Sequence, residues 1–253
     1  MIVLALILAL VPGILVFMAI YKFDTIEKEP ASLLLKLFAG GVVACAVSDL
    51  AGGLGRSILQ SVYAGRNLML FQFVDSFLLN ALLEQILIFA VVIIFTWKGK
   101  EFNYTFDAVV YTVTASLGLT LTGNLLHIYR NGGAFKVSIL LLSLVGHMIS
   151  AVFMGYFYGS AKNAEGAGNR KAQRLQLAEA LLVPTVMFGV YDFCMQIQLM
   201  VFYIIFIVYE FVCAVLTIRE IIYLSTHDAP LTGLEDVKLS KQDTIEAEQA
   251  ERW

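Results

Sequence analysis

MLFQFVDSFLLNALLEQILIFAVVIIFTW, Met69 to Trp97, is an almost unbroken apolar run with Glu84 near its middle. A helix needs about 20 apolar residues to cross the hydrocarbon core of a bilayer, and this run exceeds that length. Working outward, comparable runs extend over Ile2 to Tyr21, Ala31 to Leu54, Thr105 to Tyr129, Phe135 to Ala161, Leu177 to Gln198 and Leu199 to Tyr223. The last two are parted only by a short glutamine-containing stretch. The composition agrees: 59% of the 253 residues are hydrophobic and 15% charged. Such a chain has too little polar surface to cover a soluble globule. The reading is all-α, a polytopic transmembrane bundle of about seven helices.

Basic residues give the orientation, because short cytoplasmic loops carry the excess of Lys and Arg. With the N-terminus outside, Lys22, Lys28, Lys36, Lys98, Lys100, Lys162, Arg170, Lys171, Arg174, Arg219, Lys238, Lys241 and Arg252 fall inside. Only Arg56, Arg66, Arg130 and Lys136 fall outside, so N-out, C-in is expected. The longest inner loop would be Lys162 to Gln176. Residues 1–223 read as the membrane domain, and 224–253 as a polar, mildly acidic cytoplasmic tail with a short helix around Thr244 to Arg252. The first run lacks a basic segment before it and a small-residue cleavage site after it, which reads as a retained span. Cys45, Cys194 and Cys213 are odd in number and lie in apolar runs, as small core residues do. The lipid bilayer is the surrounding partner, and nucleic acid is not expected among the others.

An ionisable group inside a span is costly, so Glu84, His147 and Asp192 each need a partner or a task. Asn80 and Glu84 are four apart and share a helix face, as do Asn124 and His127, three apart. Carboxylate, imidazole and amide groups brought to one depth can serve a metal hydrolase, as ligands and as a base for bound water. They serve equally as hydrogen-bonded glue between helices. Gly155 and Gly159 form a small-xxx-small pair, and Gly40, Gly41, Gly52 and Gly53 thin another helix for close approach. In Glu27 to Pro30 (EKEP) the proline stands just before a helix start.

Six ordered blocks carry a family resemblance: YKFDTIEKEPASLLLKLFAGG from Tyr21, ALLEQILIF from Ala81, WKGKEFNYTFDAVVYTV from Trp97, SLGLTLTGNLLHIYRNGG from Ser116, LVGHMISAVFMGYFYGSAK from Leu144 and VPTVMFGVYDF from Val183. In order, they resemble the PrsW family of intramembrane metalloproteases. The resemblance implies a multi-span protein of the bacterial cytoplasmic membrane that cleaves membrane-anchored substrates such as anti-sigma factors, with paired glutamates, histidines and zinc. It places catalytic residues at Glu84 and Gln85, and metal ligands at His147 and Glu84, with Asp192 and His127 as further candidate donors. Asn80, Asn124, Gly123, Phe188 and Ile88 would line the site.

The match departs from the family pattern where the chemistry lies. The double Glu followed by Lys falls on Glu84, Gln85 and Ile88; the Glu-Asn pair falls on Gly123 and Asn124; the His of His-Gly-x-Tyr-Asp falls on Phe188. A catalytic zinc needs about three protein ligands and a base, so these changes remove donors. Three readings stand: a pseudoprotease holding a membrane-embedded protein or substrate helix with zinc weak or absent, an active zinc protease using Glu84, His127 and His147, and a non-catalytic scaffold or transporter-like protein.

Overall fold

The computed structural model describes residues 2–24, 26–63, 67–132, 136–197 and 199–232. Seven helical rods account for most of them: α1 Ile2–Phe23, α2 Ala31–Tyr63, α3 Leu68–Thr96, α4 Asp107–Arg130, α5 Val137–Gly166, α6 Arg170–Gln196 and α7 Met200–Thr226. Six of them, α2 to α7, are long and apolar enough to cross a membrane, and in α1 the described stretch Leu10–Phe23 is apolar too. Within α3, Asp75–Leu82 winds as a π-helix, a local widening often found near functional sites.

The rods overrun the apolar runs. The stretch expected as the longest loop is mostly helix: α5 continues to Gly166, α6 starts at Arg170, and only 167–169 turn between them. Asn169 caps α6 by accepting from the Ala172 backbone N–H at 3.1 Å, satisfying one otherwise orphaned donor. Hydropathy falls where a helix leaves the hydrocarbon, although the helix itself does not stop. Likewise α7 reaches Thr226, into the stretch read as the tail. The tail from residue 233, with its expected helix, lies outside the described residues.

α4 is the central rod, and it is the least apolar of the six: mean hydropathy 1.3 with 78% of its spanning residues buried, against 2.5 and 17% for α7. Lipid offers no hydrophobic drive between helices, so the centre is built from small residues that let backbones approach. A Cβ on Gly41 of α2 would overlap the Ala115 carbonyl of α4, and one on Gly118 would overlap the Phe38 carbonyl of α2. Across the other face, a Cβ on Gly155 would lie 2.6 Å from the Val109 Cα. The α4 threonine hydroxyls are satisfied within the helix, Thr112 on Ala108 O, Thr114 on Val110 O and Thr120 on Ser116 O.

At the end where α4 begins, the segment after α7 straps the bundle. Leu231 N donates to Asn103 O at 2.9 Å, and the Asp228 carboxylate accepts from the Phe106 N–H and the Thr105 hydroxyl, both at 2.9 Å. Beneath it Tyr111 donates to Glu29 at 2.8 Å. Burial pushes Glu29 up to about 7 and raises Asp24 and Asp228 as well.

Candidate functional site

At the opposite end, α2, α3 and α4 splay around a polar cavity of about 270 Å³. Its walls include Ser48, Asp49 and Arg56 of α2, Asn80 and Glu84 of α3, and Gly123, His127 and Arg130 of α4. The four-residue spacing of Asn80 and Glu84 puts both on the wall, as helical geometry dictates. His127 lines the cavity from the last turn of α4.

Glu84 reaches across to α5. Its Oε2 lies 3.0 Å from His147 Nε2, and His147 Nδ1 donates to Ser143 O at 2.7 Å. The Nδ1 bond fixes the ring orientation, the arrangement that usually frees Nε2 to act as acceptor or ligand. With Nδ1 donating, one proton must sit between Nε2 and Glu84, on either partner. The His147 side chain is 8% exposed and that of Glu84 20%, so the pair is sealed on the α5 side and wetted on the cavity side. Against the other face of His147 lies the ring of Phe188 from α6, its centroid 4.3 Å away.

A second network lies closer to the cavity mouth. Arg56 donates to Asn80 Oδ1 at 2.8 Å and pairs with Asp75 at 3.3 Å. Asp192 Oδ2 accepts from Asn80 at 2.9 Å and from Gln196 at 2.8 Å. Arg130 and Asp49 close the rim with two parallel bonds, the first at 2.7 Å. Each carboxylate in this network meets a donor, the condition for keeping charge within a span.

The structure thus brings Glu84, His147 and Phe188 together, with Asn80, Gly123 and His127 around the same cavity. Asp192 sits one network over, engaged by amides. Asn124 turns away from the cavity and donates to Leu140 O at 3.2 Å. Gln85 is buried off the cavity wall, and Ile88 packs in the apolar core with Leu37, Ala44 and Cys45. A Cβ on Gly123 would meet nothing closer than Cys45 Sγ at 3.8 Å, so the wall is open there.

Glu84 and His147 present two converging donors where zinc needs about three. Phe188 fills the adjoining position with a ring that donates nothing, and among the described residues no three His, Cys, Asp or Glu side chains gather in a way that could hold a metal ion. The donor set does not fit a zinc site.

Hydropathy reading of the spans missed Arg56, Asp75, Asp49 with Arg130, and Gln196. Arg56 falls beyond Leu54, where the apolar run ends although α2 goes on to Tyr63. Asp49 and Asp75 are visible in the sequence as acids within spans.

Residues 29–218 match the family described as PrsW family intramembrane metalloprotease. The chain is similar to Protease PrsW of Geobacillus kaustophilus, 30% identical over 72% of this chain and 75% of that protein. It is also similar to Protease PrsW of Bacillus subtilis, 28% identical over 72% and 78%, and of Clostridioides difficile, 27% identical over 80% and 83%. No solved structure matches. A match of this length, on a bundle of membrane-spanning rods, shows that the chain is a multi-pass protein of the cell membrane and belongs to the PrsW family of intramembrane metalloproteases.

Proposed function

We propose that this chain is a PrsW-family pseudoprotease, with the family bundle retained, the metal site impaired, and the cavity beside Glu84 used to hold a membrane-embedded partner or substrate helix. The observation that carries this reading is the Phe188 ring against His147, 4.3 Å between centroids. It occupies the place from which a third donor would complete the Glu84 and His147 pair. In the N-out, C-in orientation, which the distribution of Lys and Arg supports, the cavity opens to the outside.

A second reading, an active protease that cleaves membrane-anchored regulators, draws on the convergence of Glu84 and His147 and on His127 lining the same cavity. Elemental analysis of the detergent-purified protein separates the two. The pseudoprotease carries well under one zinc per chain, unchanged in Glu84→Ala and His147→Ala, and leaves a single-span reporter intact. Stoichiometric zinc lost in either variant overturns it. Reporter cleavage abolished by Glu84→Gln establishes the protease.

A further inference from the structure

At the end of the bundle where the strap lies, carboxyls from four separate parts of the chain face one another: Asp24 just after α1, Glu29 just before α2, Asp107 at the start of α4 and Asp228 in the strap after α7. Asp24 and Asp107 are 1% exposed and Glu29 6%. Glu29 Oε1 accepts from Tyr111, Asp107 Oδ2 from the Asn103 and Tyr104 N–H groups, and Asp228 Oδ1 from Thr105 and Phe106. One oxygen on each of Asp24, Glu29 and Asp228 is nevertheless enclosed, with no hydrogen-bond partner among the described residues.

Glu29 and Asp107 lie within hydrogen-bond reach of each other. Two ionised carboxylates can only accept, so a proton must sit between them. Asp228 faces both Asp24 and Asp107. Glu27 and Glu101 add negative charge at the edge of the group. Lys28 stands against it, its ammonium donating to the Tyr21 and Asp24 carbonyls. Among the described residues no three of these acids gather in a way that could hold a metal ion, so protons neutralise the enclosed oxygens. Burial lifts Glu29 to about 7 and raises Asp24, which puts the loss of the Glu29 proton near neutral pH.

Asp228 ties these acids to the strap, 227–232. Besides the Asp228 bonds, the strap is held by Leu231 N on Asn103 O at 2.9 Å and Thr232 N on Asn163 Oδ1 at 3.0 Å, with the Leu231 side chain 1% exposed. Each proton lost beneath it adds a negative charge beside the carboxylate that anchors it, and like charges in an enclosed site repel strongly. We propose that the four carboxyls form a proton latch: the strap stays closed on the start of α4 while the acids beneath it hold their protons, and it opens as they ionise with rising pH. In the N-out, C-in orientation the latch reads cytoplasmic pH. It lies at the opposite end of the bundle from the Glu84 cavity, so it stands whether or not that cavity binds metal.

The test is amide hydrogen exchange on the full chain in detergent, expressed as protection after correction for the intrinsic pH dependence of exchange. The reporters are the Phe106 and Leu231 amides, which donate to Asp228 and to Asn103. Their protection falls about tenfold between about pH 6 and about pH 8, the factor that one unit of proton linkage gives, while Val113 and Leu117 in the middle of α4 keep theirs. Glu29→Gln, whose amide can donate to Asp107 and still accept from Tyr111, keeps the strap protected at the higher pH. Protection of Phe106 and Leu231 that does not change with pH in the unaltered chain overturns the proposal and needs no variant to fold. An equal loss in Glu29→Gln overturns it, and so does a loss shared by Val113 and Leu117, which marks general unfolding. Protection restored at the higher pH by magnesium or calcium chloride, and not by potassium chloride of the same ionic strength, assigns the acids to a metal ion and overturns the proton latch.

Discussion

Replacing Glu84 in turn by Gln and by Ala, and His147 by Ala, tests whether the carboxyl and imidazole are bound to each other as the geometry requires. His147 Nδ1 donates to Ser143 O, so a neutral ring offers Nε2 as an acceptor. The side-chain amide of Glu84→Gln can donate to that nitrogen from the position Oε2 holds 3.0 Å away. Every polar atom then stays satisfied, and the cost is under about 1 kcal/mol. Glu84→Ala leaves Nε2 without a partner in a side chain only 8% exposed, a loss of about 1–3 kcal/mol. His147→Ala frees Glu84 into the cavity, where water solvates it, but removes a ring packed on Phe188, about 2–4 kcal/mol by comparison with other large buried deletions. For a chain of this size 1 kcal/mol moves a thermal midpoint by about 2–4 °C. Glu84→Gln should therefore stay within a few degrees of the parent, and His147→Ala should fall by roughly 4–16 °C. Cys45, Cys194 and Cys213 are all buried, so a thiol-reactive fluorophore reports unfolding in detergent without added labels. Glu84→Gln falling as far as His147→Ala, or Glu84→Ala matching the parent, refutes the pairing.

The helix crossing at Gly41 and Gly118 makes a sharper mechanical demand. Alanine at either position meets a backbone carbonyl and costs about 1–3 kcal/mol or more, whereas Gly53, with nothing within 4 Å, tolerates alanine with a gain of up to about 1 kcal/mol. The same thermal assay ranks the three, and equal midpoints for Gly41→Ala and Gly53→Ala would contradict the close approach. Glu29 supplies a pH dependence: burial lifts it to about 7 from an ordinary 4.5, so the folded state binds the extra proton between those values. Stability therefore falls as pH rises through that window and levels off above it. A full shift of that size is worth about 3 kcal/mol, and screening at the bundle end reduces it to roughly 1–2 kcal/mol. Glu29→Gln should flatten the fall in midpoint between pH 5.5 and 7, and an unchanged slope would show that the proton sits elsewhere.

Apolar length alone located all seven rods, because a helix must span the hydrocarbon whatever it packs against. Their ends were not legible in the same way. The stretch Ala51 to Arg56 (AGGLGR) breaks the apolar pattern, yet α2 continues through it to Tyr63, since beyond the lipid a polar helix is as acceptable as a loop. That extension carries Arg56 into the cavity wall. Within the site, Asn80 and Glu84 could be placed on one face from spacing, and the cavity receives both. Gly123 and Asn124 are neighbours that point about 100° apart on a helix, so no spacing rule reveals which of them faces inward. Gly123 does, while Asn124 binds the α5 backbone.

The hydropathy ranking of the helices also runs against their burial, and this bears on where function should be sought. In water the most apolar segment is the innermost; here α4, the least apolar of the six, is central, and α7, at 2.5, is the most exposed. Polar atoms on α4 are therefore ordinary packing chemistry, the threonine hydroxyls returned to their own backbone and those of Tyr111 and Ser116 bonded to Glu29 and to His147 O. The same standard applies at the cavity, where Glu84 and His147 are matched to each other and Phe188 closes the third direction. On the pseudoprotease reading proposed above, metal chemistry there would need a donor that side chain does not have, whereas binding would need only the space and polar walls of the cavity.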